Sequence, residues 1–298
     1  MGKTNPKSGG QRFRRALLLP RRYGLTPRRF LRNLEGMVAL LRKHHVVGTF
    51  PVTAMVLERH PEIAKTLNGM DVAVHGLRHK DISHLDVAGQ ASIMRMAIQS
   101  LRSHGLEATG FRAPYLRWSD SMLEAITSAG FLYDSSMPVG WTCGFDIDSD
   151  MSVKNALAAY GAEAIGTHLP SIRGRLVEMP VALPDDEIMI DRADVAMPQE
   201  FSRALMSMMD SAVLSSGHLV LQLHPERFHL FGKVLDDILV HASSKKAWIA
   251  PLKDVARWWL ERKPEGLKWP DGASCALTIS GDIDAATLGD FVARGLGR

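Results

Sequence analysis

The sequence predicts a single α/β domain built as a distorted (β/α) barrel, TIM-like and with about seven strands. Two observations predict this fold. Short apolar runs alternate with amphipathic helical segments along the chain, which is the pattern of βα units in a parallel sheet or barrel. The runs are almost continuously apolar, as in strands buried on both faces. For 298 residues, one such barrel is the economical solution.

The helical segments are recognised by their capping residues and apolar spacing. Thr26 and Pro27 open the first helix as N-cap and first helical residue. Asp86 is expected to cap a second helix, and Ser119 a third that stops at Gly130. The apolar runs predicted as strands are residues 46–52, 72–74, 108–111, 176–183, 219–223, 247–250 and 275–279.

Composition narrows the class of protein. Hydrophobic residues make up 46% and charged residues 23% of the chain, which is ordinary for a globular protein and unlike disordered or collagen-like chains. No apolar run in the sequence approaches the roughly 18 residues of a membrane span, and the apolar stretch 16–19 is too short for a signal peptide. We therefore expect a cytoplasmic protein. Cys143 and Cys275 form no CxxC pair, so we expect both to be buried apolar residues.

The N-terminal segment is strongly basic. Ten of the 36 basic residues precede Glu35, the first acidic residue. We expect residues 1–22 to be a flexible basic leader, solvated or in contact with an anionic surface such as the inner membrane face. Deletion of the residues before Phe13 should then weaken binding to anionic vesicles at low salt, and unchanged binding would refute the contact. Binding to nucleic acid would rest on this leader alone, so we do not expect it.

Polar side chains follow four of the predicted strands directly. In a parallel barrel the C-terminal ends of the strands form one rim, where catalytic residues collect. Each group alone has an ordinary structural explanation as a surface, cap or loop residue, and only their joint placement indicates a site. The residues are His75 and His79 after 72–74, Arg112 and Tyr115 after 108–111, His224 after 219–223, and Asp282 and Asp284 after 275–279.

This set of side chains is suited to metal-assisted hydrolysis. Two neutral imidazoles and one carboxylate form a three-ligand site that leaves coordination positions free for water and substrate. A metal there lowers the pKa of a bound water towards about 7 and polarises a carbonyl oxygen. The second carboxylate of the Asp-Ile-Asp pair would accept the proton of the water, and a histidine from the opposite side would protonate the leaving group.

The same residues resemble the motifs of the NodB-type polysaccharide deacetylases, carbohydrate esterase family 4. HGLRH at 75–79 is similar to the family's HxxxH metal motif, RAPY at 112–115 to its RxPY motif, and LQLH at 221–224 to its LxxH motif. The resemblance runs from about Tyr23 to Trp259 and implies the family's barrel fold.

One family motif is displaced in this sequence. The family opens with a strand that ends in paired aspartates, and nothing before His75 resembles it. The segment ALTISGDIDA at 276–285 does. We therefore expect a domain over residues 23–298 that is circularly permuted, with 268–298 supplying the first strand, since chain ends are usually close together. The alternative is that this segment opens a second, truncated module. A similar FDID at 145–148 follows a poor strand and is disfavoured.

The resemblance implies a role for each matched residue. Asp284, His75 and His79 would bind one divalent metal ion, zinc in preference to cobalt, nickel, manganese or iron. Of the remaining residues, Asp282 would be the general base, Arg112 would orient Asp282 and keep it ionised, His224 would protonate the departing amine, and the backbone N–H of Tyr115 would help to hold the oxyanion.

The predicted function is removal of an N-acetyl or O-acetyl group from a sugar or polysaccharide precursor, with an acetylated glycan or amino sugar as substrate. The motif that would tune His224 is not identified, and Asp186 is a candidate only. Two alternatives stay open: a hydrolase of cyclic amides of the ureide type with the same fold, and a carbohydrate-binding relative without catalysis. Ring opening of allantoin-like compounds would favour the first, and an Asp282→Asn variant without effect would favour the second.

Overall fold

The fold is a mostly parallel sheet curled into a distorted half-barrel, with helices packed along it. The computed structural model describes residues 19, 22–162, 168–193, 195, 198–261 and 269–296. The strands described there are β1 (Thr49–Val52), β2 (Asp71–Val74), β3 (Ala108–Phe111), β4 (Tyr133–Asp134), β5 (Pro138–Gly140), β6 (Ser171–Arg173), β7 (Leu176–Glu178), β8 (Val181–Leu183), β9 (His218–Leu223), β10 (Trp248–Ile249) and β11 (Ala276–Gly281).

The helices bury one apolar face each against the sheet or against one another. In the first helix, for example, Phe30, Leu34, Met37 and Leu41 are fully buried. The described helices are α1 (Arg28–Lys43), α2 (Ala54–Arg59), α3 (Glu62–Thr66), α4 (Val87–Ser103), α5 (Asp120–Ala129), α6 (Phe145–Ser149), α7 (Met151–Tyr160), α8 (Pro198–Ser215), α9 (Phe228–Ser244), α10 (Leu252–Glu261) and α11 (Leu288–Leu296).

The order of strands across the sheet is β5-β8-β9-β11-β1-β2-β3-β4-β7-β6, and β10 also pairs with β11. All pairs are parallel except β6 with β7. The α/β class and the distorted barrel predicted from the sequence are therefore confirmed, and among the described strands the curled sheet stays open between β5 and β6 at its two ends.

The last strand of the chain lies in the middle of the sheet. β11 pairs with β9 along its whole length, from Ala276 opposite His218 to Gly281 opposite Leu223. On its other side Ser280 pairs with Thr49 of β1, and every residue of β11 is buried. The C-terminal segment is thus part of this sheet and does not open a separate module.

Several local predictions are confirmed and others are wrong. Asp86 caps α4 by accepting from Gly89 N, and Ser119 caps α5 by accepting from Met122 N. Both cysteines are free and buried. The run 176–183, predicted as one strand, is two strands, because Pro180 between them has no N–H to donate to a ladder. β4, β5 and β6 were not predicted, since two or three residues are too few to show periodicity.

The first helix begins one residue later than predicted. Its assigned N-cap is Pro27 rather than Thr26, and no side chain caps it. Of the predicted leader, residues 1–22, only 19 and 22 are described. Arg22 is not part of a solvated segment, because it is buried and pairs with Asp191 at 2.5 Å. The contact of the remaining leader with an anionic surface lies outside the described residues and stays a prediction. No described helix is long and apolar enough to cross a membrane.

Candidate metal centre

The strands that precede the predicted site residues are β9, β11, β2 and β3, which follow one another across the sheet in that order with β1 between β11 and β2. They are parallel, so their C-terminal ends meet at one edge. His75 follows β2, Arg112 follows β3, His224 follows β9 and Asp282 follows β11. The structure therefore brings the four polar groups to one rim.

A sharp turn after β2 places both histidines of the loop 75–79. Gly76 has φ +80°, in the left-handed region that favours glycine, and a Cβ there would lie 2.8 Å from the carbonyl oxygen of Arg78. The loop is held against the start of α2, where Ala54 N–H donates to Gly76 O at 3.1 Å. The two imidazole rings consequently lie edge to face, with centroids 4.9 Å apart.

His75, His79 and Asp284 form one buried group, which we call the Asp284 cluster. Nε2 of His75 lies 3.1 Å from Oδ1 of Asp284, and Nε2 of His79 lies 3.2 Å from Oδ2. The backbone before the aspartate is fixed to the neighbouring strand, because Ile283 N–H donates to Pro51 O at 2.8 Å. A carboxylate near the end of the chain thus meets two imidazoles from the first third.

The Asp284 cluster fits a divalent cation. Two ligand atoms bound about 2.0–2.1 Å from one tetrahedral zinc ion lie about 3.3 Å apart, close to the separations observed. His75 Nδ1 lies 2.9 Å from Arg112 O, so a neutral ring that donates there presents the lone pair of Nε2 to the cluster. Oδ1 of Asp284 is buried and accepts no hydrogen bond among the described residues, although Nε2 of His75 lies only 3.1 Å away. A divalent cation between these atoms would compensate the facing lone pairs.

The charges around the cluster favour metal ligation. Burial lowers the pKa of His79 to about 4, against the opposing effect of Asp284, so this imidazole is neutral near pH 7. Burial alone would raise the pKa of the Asp284 carboxyl, but His79 and Arg294 hold it well below its ordinary value. Arg294 Nη1 donates to Asp284 Oδ2 at 2.7 Å. Both ligand types are therefore in the protonation state that binds metal.

Asp282 lies beside the Asp284 cluster, and only one of its two carboxylate oxygens accepts a hydrogen bond within the described structure. Arg112 Nη1 donates to Asp282 Oδ1 at 2.6 Å, and both side chains are essentially fully buried. The guanidinium is held by Ser280 Oγ at 2.8 Å and Ser135 O at 2.9 Å. Oδ2 of Asp282 lies 3.9 Å from His75 Nε2 and has no hydrogen-bond partner in the described structure. This free oxygen can accept a proton.

Tyr115 has the backbone strain expected at a site. Its φ is +60° and that of Leu116 is +52°, a conformation that bulky residues rarely adopt. The Tyr115 ring lies edge to face with His79, with centroids 4.5 Å apart. Its hydroxyl accepts from Arg294 Nε at 3.2 Å. The residue therefore forms one wall of the site.

His224 belongs to a second buried group with Asp186 and Asp185, which we call the Asp186 cluster. His224 Nδ1 lies 2.6 Å from Asp186 Oδ1, and His224 N–H donates to Asp186 Oδ2 at 3.0 Å. Burial would lower the pKa of His224, but the Asp186 carboxylate outweighs it and raises this pKa well above its ordinary value. Leu223 and Gly281 are paired in register, so His224 and Asp282 leave neighbouring strands side by side.

Sequence reasoning missed three residues of the site and offered a fourth only as a candidate. Asp185, Arg227 and Arg294 carry no motif that would have marked them. Asp186 was named only because it follows a predicted strand. Arg227 Nη1 donates to Glu226 Oε1 at 2.9 Å and lies 3.7 Å from Asp186 Oδ2, which ties the Asp186 cluster to a buried ionic network.

The competing Asp-x-Asp segment has a structural role. Asp148 Oδ1 accepts from Cys143 N–H at 2.9 Å, and Oδ2 accepts from Gly144 N–H at 3.2 Å. The carboxylate thereby closes the turn before α6 and does not join either cluster.

Comparison with known families agrees with this geometry. Residues 31–133, about a third of the chain, match the sequence profile of the family described as polysaccharide deacetylase. The peptidoglycan deacetylase-like protein FGM2 of Gibberella zeae is 31% identical over 94 residues, which are 31% of this chain and 25% of that protein. The chain thus matches about a quarter of the length of this curated relative.

Solved structures show the same fold at low sequence identity. A Mycobacterium smegmatis protein assigned to the polysaccharide deacetylases has a TM-score of 0.61 and 20% identity, over 82% of each chain. A Pseudomonas aeruginosa PAO1 protein with the same assignment has a TM-score of 0.60 and 20% identity, over 78% of this chain and 74% of that one. Puue allantoinase has a TM-score of 0.60 and 19% identity over the same shares.

Proposed function

We propose that this chain is a metal-dependent hydrolase of the polysaccharide deacetylase type, which removes N-acetyl groups, or less readily O-acetyl groups, from a sugar or polysaccharide precursor. The observation that carries the proposal is the convergence of His75 Nε2 and His79 Nε2 on the buried Asp284 carboxylate. The match of residues 31–133 to the polysaccharide deacetylase family supports the reaction class, and this convergence supports a metal.

Asp284, His75 and His79 would hold one divalent ion, with zinc favoured by the nitrogen and oxygen donors and cobalt, nickel, manganese or iron as alternatives. When bound, such an ion supplies a Lewis acid that activates water and polarises the acetyl carbonyl. The neutral state of His79 and the ionised state of Asp284 support this set of ligands.

Asp282 is the proposed base. Its Oδ1 is held by Arg112, so the proton of the attacking water goes to Oδ2, the oxygen without a partner among the described residues. The buried guanidinium is the ion-pair partner of this carboxylate, at 2.6 Å. Arg112 is in turn fixed by Ser135 and Ser280, which gives the base a single orientation.

His224 is the proposed acid. Asp186 holds its Nδ1, so Nε2 is the nitrogen that gives a proton to the departing amine. The raised pKa of His224 keeps it protonated at neutral pH, before the transfer. The backbone N–H of Tyr115 is proposed to donate to the oxyanion, a role worth about 2.7–4 kcal/mol where single donors of this kind have been removed. The products are acetate and a free amine on the sugar.

Two measurements on the purified protein test the proposal together. Elemental analysis should find one divalent metal per chain, and acetate should be released from one or more acetylated sugars in a panel that includes N-acetylhexosamines. Chelation should abolish release, and re-addition of the metal should restore it. A protein that holds metal but releases no acetate would refute the deacetylase proposal.

A cyclic amide hydrolase is the second candidate, and the fold shared with Puue allantoinase favours it. Both reactions need water activation and a proton donor, so the same residues would serve. Ring opening of allantoin without acetate release from any sugar would select this candidate. A carbohydrate-binding role without catalysis is the third, and it requires that Asp282→Asn leaves sugar binding unchanged and that the parent protein shows no turnover.

We also propose that the chain order is circularly permuted relative to the family. The position of β11 between β9 and β1 supports this, and so does the contact of Leu288 N–H with Gly24 O at 2.8 Å, which brings the C-terminal segment to the start of the described domain. A variant that carries residues 269–296 ahead of residue 22 should fold and bind metal like the parent. Failure of several linker lengths to give a folded protein would refute the proposal.

A further inference from the structure

A small, open cleft lies directly beside the Asp284 cluster. Two of the proposed metal ligands, His79 and Asp284, are part of its wall. A substrate whose acetyl group reaches the metal position can therefore place an adjacent group at this cleft. The remaining wall comes from the end of β1, α2, the loop after His79 and α11.

The wall of the cleft is strongly cationic. Arg59 comes from α2, Arg78 and Lys80 flank His79 in the chain, and Arg294 comes from α11. Against these four cations stand two carboxylates, those of Asp284 and Asp290. A divalent ion at the Asp284 cluster would add further positive charge.

Both carboxylates already have hydrogen-bond and ion-pair partners within the protein. Asp290 Oδ2 accepts from Thr287 N–H at 3.0 Å and from Thr287 Oγ1 at 2.9 Å, and it contacts His60 Nε2 at 2.8 Å. Its other oxygen accepts from Arg59 Nη1 at 3.0 Å. Asp284 is the ligand of the proposed metal. Arg294 pairs with Asp284 at 2.7 Å, so each carboxylate offsets one of the four cations, and the formal charge left over at the cleft is positive.

The cations keep access to solvent. The Arg59 side chain is 37% exposed, and Arg78 and Lys80 are exposed. An ion pair with one carboxylate oxygen occupies only part of the five-donor fork of an arginine. Of the described residues that line the cleft, none is Phe, Tyr or Trp, and four are cationic.

We propose that this cleft binds an anionic group, a phosphate or a carboxylate, carried by the acetylated sugar itself. The substrate class is then an anionic amino sugar rather than a neutral glycan. Guanidinium and ammonium groups recognise such oxyanions through charge-assisted hydrogen bonds. This inference rests on the proposed function, because it places the acetyl group of the same molecule at the Asp284 cluster.

Binding of three probes to the purified protein tests the inference. The probes are N-acetylglucosamine 1-phosphate, N-acetylmuramic acid and the neutral methyl glycoside of N-acetylglucosamine, with calorimetry as the readout at low and high salt. We expect at least one anionic probe to bind about tenfold or more tightly than the neutral sugar, because a hydrogen bond to a charged group is worth about that factor. The better of the two anionic probes identifies phosphate or carboxylate as the group recognised.

Two variants locate the anionic group. Lys80→Gln and Arg59→Gln should each weaken the anionic probe about tenfold and leave the neutral sugar unchanged. Arg59→Gln removes the ion pair with Asp290 and could therefore loosen α11. Lys80→Gln breaks no described ion pair, so its result remains interpretable in that case. Arg102→Gln is the matched control, since this arginine is 64% exposed and pairs with Glu107 at the other end of the βα units.

The outcomes separate this inference from the proposed function. Equal affinity for anionic and neutral probes, or anionic binding that Lys80→Gln and Arg59→Gln leave intact, overturns the inference. Acetate release from neutral sugars with no preference for anionic ones overturns it while the deacetylase proposal stands. Binding of the anionic probe that depends on Lys80 and Arg59, without acetate release from any probe, overturns the deacetylase proposal instead.

Discussion

The Asp284 cluster and the Asp186 cluster are built from the same buried residue types, yet the pKa values of His79 and His224 are shifted in opposite directions. His79 has its pKa lowered to about 4 by burial. His224 has its pKa raised well above the ordinary value, because Asp186 outweighs burial. Asp284 and Asp186 are both buried, so burial itself is not what distinguishes the clusters.

The difference lies in how each carboxylate shares its charge. Asp284 faces two imidazoles at 3.1 and 3.2 Å and the Arg294 guanidinium at 2.7 Å. Asp186 contacts the imidazole of His224 at 2.6 Å, and Arg227 stays 3.7 Å away. A carboxylate with one close imidazole stabilises a proton on it. A carboxylate shared by two neutral imidazoles is suited to a divalent ion.

The second aspartate of the Asp186 cluster sharpens the comparison. Asp185 Oδ1 accepts from Ile188 N–H at 2.8 Å, and burial raises the pKa of Asp185 to about 7. This carboxyl therefore keeps its proton to a higher pH than an ordinary aspartic acid. The three ligand atoms of the Asp186 cluster are spaced closely enough for a metal. The raised pKa values of His224 and Asp185 nevertheless indicate that this cluster binds protons.

The largest expected effect follows from removing the shared carboxylate. Asp284→Asn should lower the metal content from about one ion per chain to near zero and abolish acetate release, because the site loses its only anionic ligand. Elemental analysis after dialysis measures it. Asp236→Asn, at the surface beside Lys43, is the control that should keep its metal. Full metal occupancy in Asp284→Asn would break the assignment of the cluster.

Removal of the proposed base should leave the metal in place. Asp282→Asn should reduce turnover by about 10²- to 10⁴-fold, the usual contribution of a general base. The metal content should match that of the parent, because Asp282 is not among the proposed ligands. Loss of metal together with turnover would make Asp282 a ligand instead.

Asp186→Asn should shift the pH profile of turnover. The carboxylate holds the pKa of His224 above its ordinary value of about 6.5, so its removal should move the alkaline limb of kcat/KM to lower pH. The contact also stabilises the fold below that ordinary pKa, and this contribution is lost as pH rises through the raised pKa. The difference in unfolding free energy between parent and variant should therefore shrink at high pH. An alkaline limb that does not move would exclude His224 as the acid.

The smallest effect is expected at Tyr115. Tyr115→Phe removes a hydroxyl that accepts one hydrogen bond, from Arg294 at 3.2 Å, and leaves the backbone N–H in place. We expect turnover within about threefold of the parent and a loss of stability of about 0.5–1.5 kcal/mol. Urea denaturation and acetate release measure the two. A large loss of turnover would show that the hydroxyl of Tyr115, and not only its backbone N–H, takes part in the reaction.

Local sequence signals predicted the elements that are long or capped. Asp86 and Ser119 cap their helices as expected, because capping depends only on residues two or three positions away. Prediction failed where tertiary contacts decide. Pro180 divides one apolar run into β7, which pairs with β4 and β6, and β8, which pairs with β5 and β9. The two-residue strand β4 forms where β3 and β7 flank it.

The candidate site divides in the same way. HGLRH, RAPY, LQLH and DID identified seven residues by type and spacing, and the structure brings them to one rim. Arg294 and Arg227 carry no local signal, since their importance comes from contacts with Asp284 and with the Asp186 cluster. The match of Asp186 to His224, 38 positions away, likewise follows from the placement of β8 beside β9.

The amino-acid sequence alone determined the βα alternation, the residue types for metal-assisted hydrolysis and their position at strand ends, because each depends on neighbours along the chain. Only the tertiary structure decided that β11 enters the sheet between β9 and β1. It also decided which histidine keeps a proton and which presents a lone pair. Those outcomes depend on charges and burial supplied by segments far apart in the chain, and no local pattern records them.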